Sequence, residues 1–193
     1  MTTTTDRTPG LGALLHATRA PAPDVSSAGL NWLRAGVLGA NDGIVSVAAT
    51  VVGVAGAAAS TSTVVLAGGA ALVAGALSMA SGEYVSVSSQ RDAERIADAD
   101  GELTNPWHAA LASLLAFTFG GLVPLLVVLA PWSLAARVPV TFGAVVVALV
   151  LTGWASSRFT GASRTRSVLR NVLGGSLAMA VTYGIGALVG VAL

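Results

Sequence analysis

The sequence predicts an all-α integral membrane protein of five transmembrane helices, with the N-terminus in the cytosol and the C-terminus on the opposite side. Three observations carry that prediction. Charge is scarce, at 10% of 193 residues against 54% hydrophobic, and the mean hydropathy is +0.77. A soluble domain needs roughly 25% charged residues, and disorder needs low hydrophobicity, so both classes are excluded. The apolar residues fall into five long stretches, each near or above the ~20 residues that cross a hydrocarbon core ~30 Å thick. In lipid such spans must be helical, because the backbone has to satisfy its own hydrogen bonds. Finally, the arginines divide nine to one between the two sides that five crossings define: Arg7, Arg19, Arg34, Arg91, Arg95, Arg158, Arg164, Arg166 and Arg170 inside, Arg137 outside.

In chain order, residues 1–28 are rich in Thr, Pro and Ala and read as a disordered cytosolic tail; residues 29–193 read as one transmembrane domain. The tail lacks the basic start and immediate apolar run of a signal peptide. The first span, 33–58, is interrupted only by Asp42. A Ser60-Thr61-Ser62-Thr63 turn leads to the second, 63–87, with Glu83 near its end. Residues 88–105 are polar and close on Asn105-Pro106, and spans at 108–130, 138–157 and 168–193 follow with no ionic residue in their interiors. Pro124 is expected to kink the third span. Trp32, Trp107 and Trp154 fall at the inner interface and Trp132 at the outer one, where amphipathic rings settle. Gly39 with Gly43, and Gly186 with Gly190, have the G-x-x-x-G spacing that lets membrane helices approach closely; general Ala/Gly enrichment is the plainer reading of each pair.

Two carboxylates stand where a membrane disfavours them. A carboxylate at the centre of a membrane helix costs about 2.5–3.5 kcal/mol on insertion scales, and such groups face a cavity, a partner or a transport path. Asp42 lies eight residues after Arg34 and Glu83 eight before Arg91. At 1.5 Å per residue both lie roughly 12 Å inside the cytosolic anchors, so antiparallel helices would bring them into one layer. Met79 precedes Glu83 by four residues and shares its face. Oxygen ligands alone suit Mg²⁺ or Ca²⁺, whereas a thioether tilts the set towards first-row transition metals. Asn41, Ser78 and Ser81 are candidates for further oxygens. The structural alternatives are a packing role for Met79, pairing of Asp42 with Arg34 or a backbone N–H, and snorkelling of Glu83 to the interface.

Glu94, Asp98 and Glu102 recur at i, i+4, i+8 and repel one another along one stripe, which a bound cation would relieve; a solvated face is the simpler account. His108 reads as an interfacial histidine, Tyr183 as a structural hydroxyl, and His16 carries no signal. There is no Cys, no histidine within a span, no G-x-S-x-G and no P-loop. An enzyme is therefore not expected, and transport would be passive or driven by an ion gradient. Protons and metal ions compete for the same oxygens, so paired membrane carboxylates suit exchange of one for the other. A near-zero net charge of +1 argues against nucleic acid as a partner.

Four stretches are distinctive: Arg34 to Ser46 (RAGVLGANDGIVS), Gly75 to Asp92 (GALSMASGEYVSVSSQRD), Asn105 to Ala110 (NPWHAA) and Ala180 to Gly186 (AVTYGIG). They resemble the first, second, third and fifth helices of the vacuolar iron transporter family, and the resemblance covers roughly residues 30–193. It implies a homodimer of five-helix protomers that exports Fe²⁺ and often Mn²⁺ from the cytosol in exchange for protons, the metal being transported substrate and not a cofactor. It also implies that Asp42 and Met79 line the ion path, with Glu83 matching the acid of the family's Gly-Glu-Tyr motif. Many members carry a long cytosolic insert after the second helix. Its near absence here resembles the shorter, nodulin-like members and bears on metal capture and Fe/Mn preference. The composition, without a targeting segment, points to a prokaryotic plasma membrane, or to a vacuolar membrane in a eukaryote. Two other functions are compatible with the residues: a proton-coupled exporter of organic cations, which would want aromatic rings around its acid, and a membrane scaffold with no solute path.

Overall fold

In a computed structural model, residues 27–97 and 103–192 are described, and they form five helices and the turns between them. These are α1 (Ser27–Gly56), α2 (Thr61–Ile96), α3 (Pro106–Leu129), α4 (Leu134–Thr160) and α5 (Arg164–Ala192). All five are long and apolar enough to cross a membrane. The side chains facing outwards agree: Leu66, Phe119, Leu151, Leu177 and Leu188 are exposed, a surface suited to lipid.

Local chemistry sets the helix ends. Ser60 Oγ accepts from the Thr63 N–H at 3.2 Å and starts α2. Asn105 Oδ1 accepts from Trp107 N at 3.0 Å and His108 N at 3.4 Å, and Pro106 occupies the first turn, where no N–H is needed. Ser133 caps α4 in the same way, and Gly161 ends it in the left-handed region at φ +66°. Hydroxyls inside the spans turn back on their own helices, as Thr50 does to Ser46 O, Thr118 to Leu114 O and Thr182 to Ala178 O. α3 continues through Pro124 to Leu129.

α1 is the central helix and touches all four others, whereas α2 packs mainly against α1 and α3, with Arg137 of α4 reaching its first residue, Thr61. Small residues make these approaches possible. A Cβ on Gly39 would stand 2.7 Å from the Ser113 carbonyl oxygen, and one on Gly43 would run into the Phe117 carbonyl. Gly53 and Gly56 of α1 meet Thr182 and Tyr183 of α5, and Gly186 and Gly190 press on Gly53 and Ala57. Both G-x-x-x-G pairs are thus spent inside the protomer. Val47, Val51, Leu72 and Phe117 form a core among α1, α2 and α3; Ile44, Ala48, Val145, Leu149 and Met179 form another among α1, α4 and α5.

Most helix bounds differ from the expected spans by a few residues, and the largest differences fall at two places. α1 already includes Ser27 and Ala28, and α2 runs nine residues past the predicted end of its span, to Ile96. At 1.5 Å per residue its 36 residues measure about 54 Å, well over a hydrocarbon core of ~30 Å. The rest of the predicted tail, with Arg7, Arg19 and His16, lies outside the described residues.

Candidate functional site

α1, α2 and α3 line an open-sided cavity of about 260 Å³. Asp42 and Ser46 line it from α1, Ser78, Met79 and Glu83 from α2, and Phe117 from α3, with Gly75 and Gly82 completing the wall. The α2 residues recur every three or four positions and so form one stripe. Gly75 is bare because the Phe117 ring tip occupies the place a Cβ would take. Ser46 follows Asp42 by one helical turn, and its Oγ donates to Asp42 Oδ1 at 3.1 Å.

The cavity brings Asp42, Met79 and Glu83 together, but not in one layer. Val51 meets Gly68, and Ala35 shares a cluster with Val87, so the antiparallel register sets Asp42 opposite Met79. Glu83 lies about one turn nearer the Arg34 end. Depth counted from Arg34 and Arg91 assumes that the two anchors are level, and the observed register staggers them.

That stagger decides who pairs with Arg34. Its Nη2 donates to Glu83 Oε1, so the ion pair goes to Glu83 and not to Asp42. Glu83 is 6% exposed while the arginine side chain is 50% exposed. The acid therefore turns inward, and the guanidinium reaches in to meet it. Arg34 Nε and Nη2 also donate to Asn31 Oδ1 at 3.3 and 3.2 Å. Asn31 Nδ2 donates to Gln90 Oε1 at 2.9 Å, and Gln90 Nε2 to Glu94 Oε1 at 3.0 Å. The other Glu94 oxygen accepts from Thr104 N at 2.9 Å and Thr104 Oγ1 at 3.0 Å.

Other residues singled out from the sequence lie elsewhere. Asn41 does not line the cavity, and its Oδ1 is buried without a hydrogen-bond partner among the described residues. Ser81 is exposed and donates to Leu77 O. Glu94 ties α2 to the start of α3 instead of standing free, and Asp98 and Glu102 lie outside the described residues. His108 and Trp32 flank a larger apolar groove of about 720 Å³ between α1, α3 and α4. Arg137, the arginine expected on the outer side, is 6% exposed and donates to Thr61 Oγ1 at the head of α2. Sequence reasoning passed over Ser46, whose i+4 spacing from Asp42 was a usable signal, and Phe117, which had none. Among the described residues no three or more His, Cys, Asp or Glu side chains converge.

A family model described as the VIT family matches residues 33–101 and 94–187. The chain belongs to the VIT family. It is 44% identical over 167 residues to vacuolar iron transporter homolog 4 of Arabidopsis thaliana, covering 82% of this chain and 84% of that relative. It is 46% identical over 169 residues to vacuolar iron transporter homolog 1 of Oryza sativa subsp. japonica, covering 80% and 72%. The resemblance carried by the Arg34–Ser46 and Gly75–Asp92 stretches is therefore a true family relationship. The VIT-family match takes in every residue that lines the α1–α2–α3 cavity.

Proposed function

We propose that this VIT-family protein is a membrane metal-ion transporter that exports Fe²⁺ or Mn²⁺ from the cytosol in exchange for protons. The observation that carries the reading is the cavity in which Asp42, Met79 and Glu83 face one space within the spans. Two carboxylates and a thioether suit a first-row divalent ion better than a purely hard cation. The relatives named above are vacuolar iron transporter homologs, which supports metal as the cargo and transport over enzymatic chemistry. Their names fit the vacuolar alternative for the membrane; nothing in them supports a prokaryotic plasma membrane.

In this reading the N-terminus is cytosolic, the ion enters past Arg34 and Glu83, and it passes to Asp42 and Met79. Ser46 and Ser78 add oxygens. Protons returning along the same carboxylates displace the metal, because a ligand oxygen holds one or the other. A partial ligand set in each protomer is completed by a second copy placed against the open side of the cavity, which makes the working unit a homodimer. The organic-cation alternative gains one aromatic ring, Phe117, but a cavity of about 260 Å³ is small for it, since drug-sized ligands occupy roughly 300–1,000 Å³.

Proteoliposomes loaded with a pH-sensitive dye and given Fe²⁺ or Mn²⁺ under a proton gradient test the reading. Metal entry with proton exit, abolished by Asp42→Ala at unchanged protein level, is the expected result. Metal movement without protons would overturn exchange, and full activity in Asp42→Ala would overturn the path.

A further inference from the structure

The geometry points to Arg34 as a resident counter-cation that holds Glu83 while no metal is bound and must yield it to the arriving ion. This rests on the reading of the cavity as a metal path. Glu83 is buried, and a buried carboxylate needs a partner at all times. Arg34 supplies that partner in the empty protein. A metal ion binding Glu83 takes over the role, and the two cations repel each other across one carboxylate.

The displaced guanidinium has somewhere to go. Arg34 Nη2 contacts both Glu83 and Asn31 Oδ1, so it sits between two acceptors. Beyond Asn31 every donor in the chain points the same way: Asn31 to Gln90, and Gln90 to Glu94. The amide dipoles thus align from the guanidinium to a second carboxylate, Glu94, and hydrogen bonds in such a series polarise and strengthen one another. Glu94 in turn holds the Thr104 backbone ahead of α3. Arg34 therefore stands between two acids, touching Glu83 directly and Glu94 through two amides. Loading of Glu83 shifts it towards the second. Arg34 is a positioning residue in this scheme, since it acts on the metal through Glu83.

The scheme makes two variants move metal affinity in opposite directions. Arg34→Gln removes the competitor and is expected to tighten Mn²⁺ binding by about tenfold, the scale of a charge-assisted hydrogen bond. Gln90→Leu breaks the amide chain and leaves Arg34 no second seat, so binding weakens several-fold. Arg34→Lys keeps the charge and restores affinity close to that of the unaltered protein. Isothermal titration of the full chain in detergent with Mn²⁺ alone reads all three. A purely structural role for the chain would lower affinity in both Arg34→Gln and Gln90→Leu, or leave it unchanged, and either result overturns the inference. If Arg34→Gln cannot be purified, Arg34→Met takes its place with the same expected tightening, and weaker or unchanged binding in it overturns the inference. Absence of Mn²⁺ binding in the unaltered protein overturns the metal reading itself. Binding that is lost in Asp42→Ala but indifferent to Arg34 and Gln90 overturns only the inference drawn here.

Discussion

Glycine 43 shows how little room this bundle leaves at the scale of one residue. Even a methyl group there meets the Phe117 backbone carbonyl, which cannot rotate aside as a side chain could. Gly43→Ala is expected to cost about 1–3 kcal/mol, the usual penalty of overpacking, read as a lowered melting midpoint in detergent. Gly69→Ala, on the same protein but with open space around its Cβ, is expected to be neutral or slightly stabilising. The candidate site was legible at this scale where residues were anomalous: Asp42 and Glu83 stand out because a membrane disfavours them, and Met79 follows by helical spacing. Asn41 stands outside the cavity lining, about 100° around α1 from Asp42, on the side away from Ser46. Phe117 was invisible because its position depends on the register of α3 against α2, which no local pattern encodes.

At the scale of elements, all five spans were legible because bilayer crossing demands long uncharged runs. Hydropathy marks where the bilayer ends, however, and not where the helix ends. The Ser88–Ile96 stretch contains neither Gly nor Pro, and the Gln90–Glu94 hydrogen bond at i, i+4 supports it, so α2 continues into the aqueous phase. Helix starts depend on single caps. Asn105→Ala leaves the Trp107 and His108 N–H groups without their acceptor and is expected to cost about 1 kcal/mol, again measured by thermal melting. The loss should exceed that from Ser60→Ala, because Ser60 serves a single N–H.

For the whole molecule the uneven placement of α2 matters most. It is held by α1 and α3 and leaves Leu66, Val73, Leu77 and Ser81 uncovered along one side. A homodimer packed through α2 would use this side. The chain has no native cysteine, so the idea can be tested without a background. Ser81→Cys is expected to form an intermolecular disulfide in membranes under mild oxidation, which requires Cα atoms within about 7 Å. Leu177→Cys, on the exposed side of α5, is expected to remain monomeric on a denaturing gel. Absence of the Ser81 cross-link, with efficient linkage through Leu177, would move the interface to α5.

The central place of α1 also governs how the protein is made. α1 leaves the ribosome first, yet the surfaces its glycines press against belong to α3 and α5. At roughly 5–20 residues per second, several seconds pass before Leu129 is synthesised. During that interval α1 sits in the bilayer with Asp42 uncovered and α2 as its sole neighbour. Among the described residues, the first long-range polar tie available to the nascent chain is Arg34 to Glu83. The ion pair that holds Glu83 in the finished protein is thus also the earliest clasp of its biosynthesis.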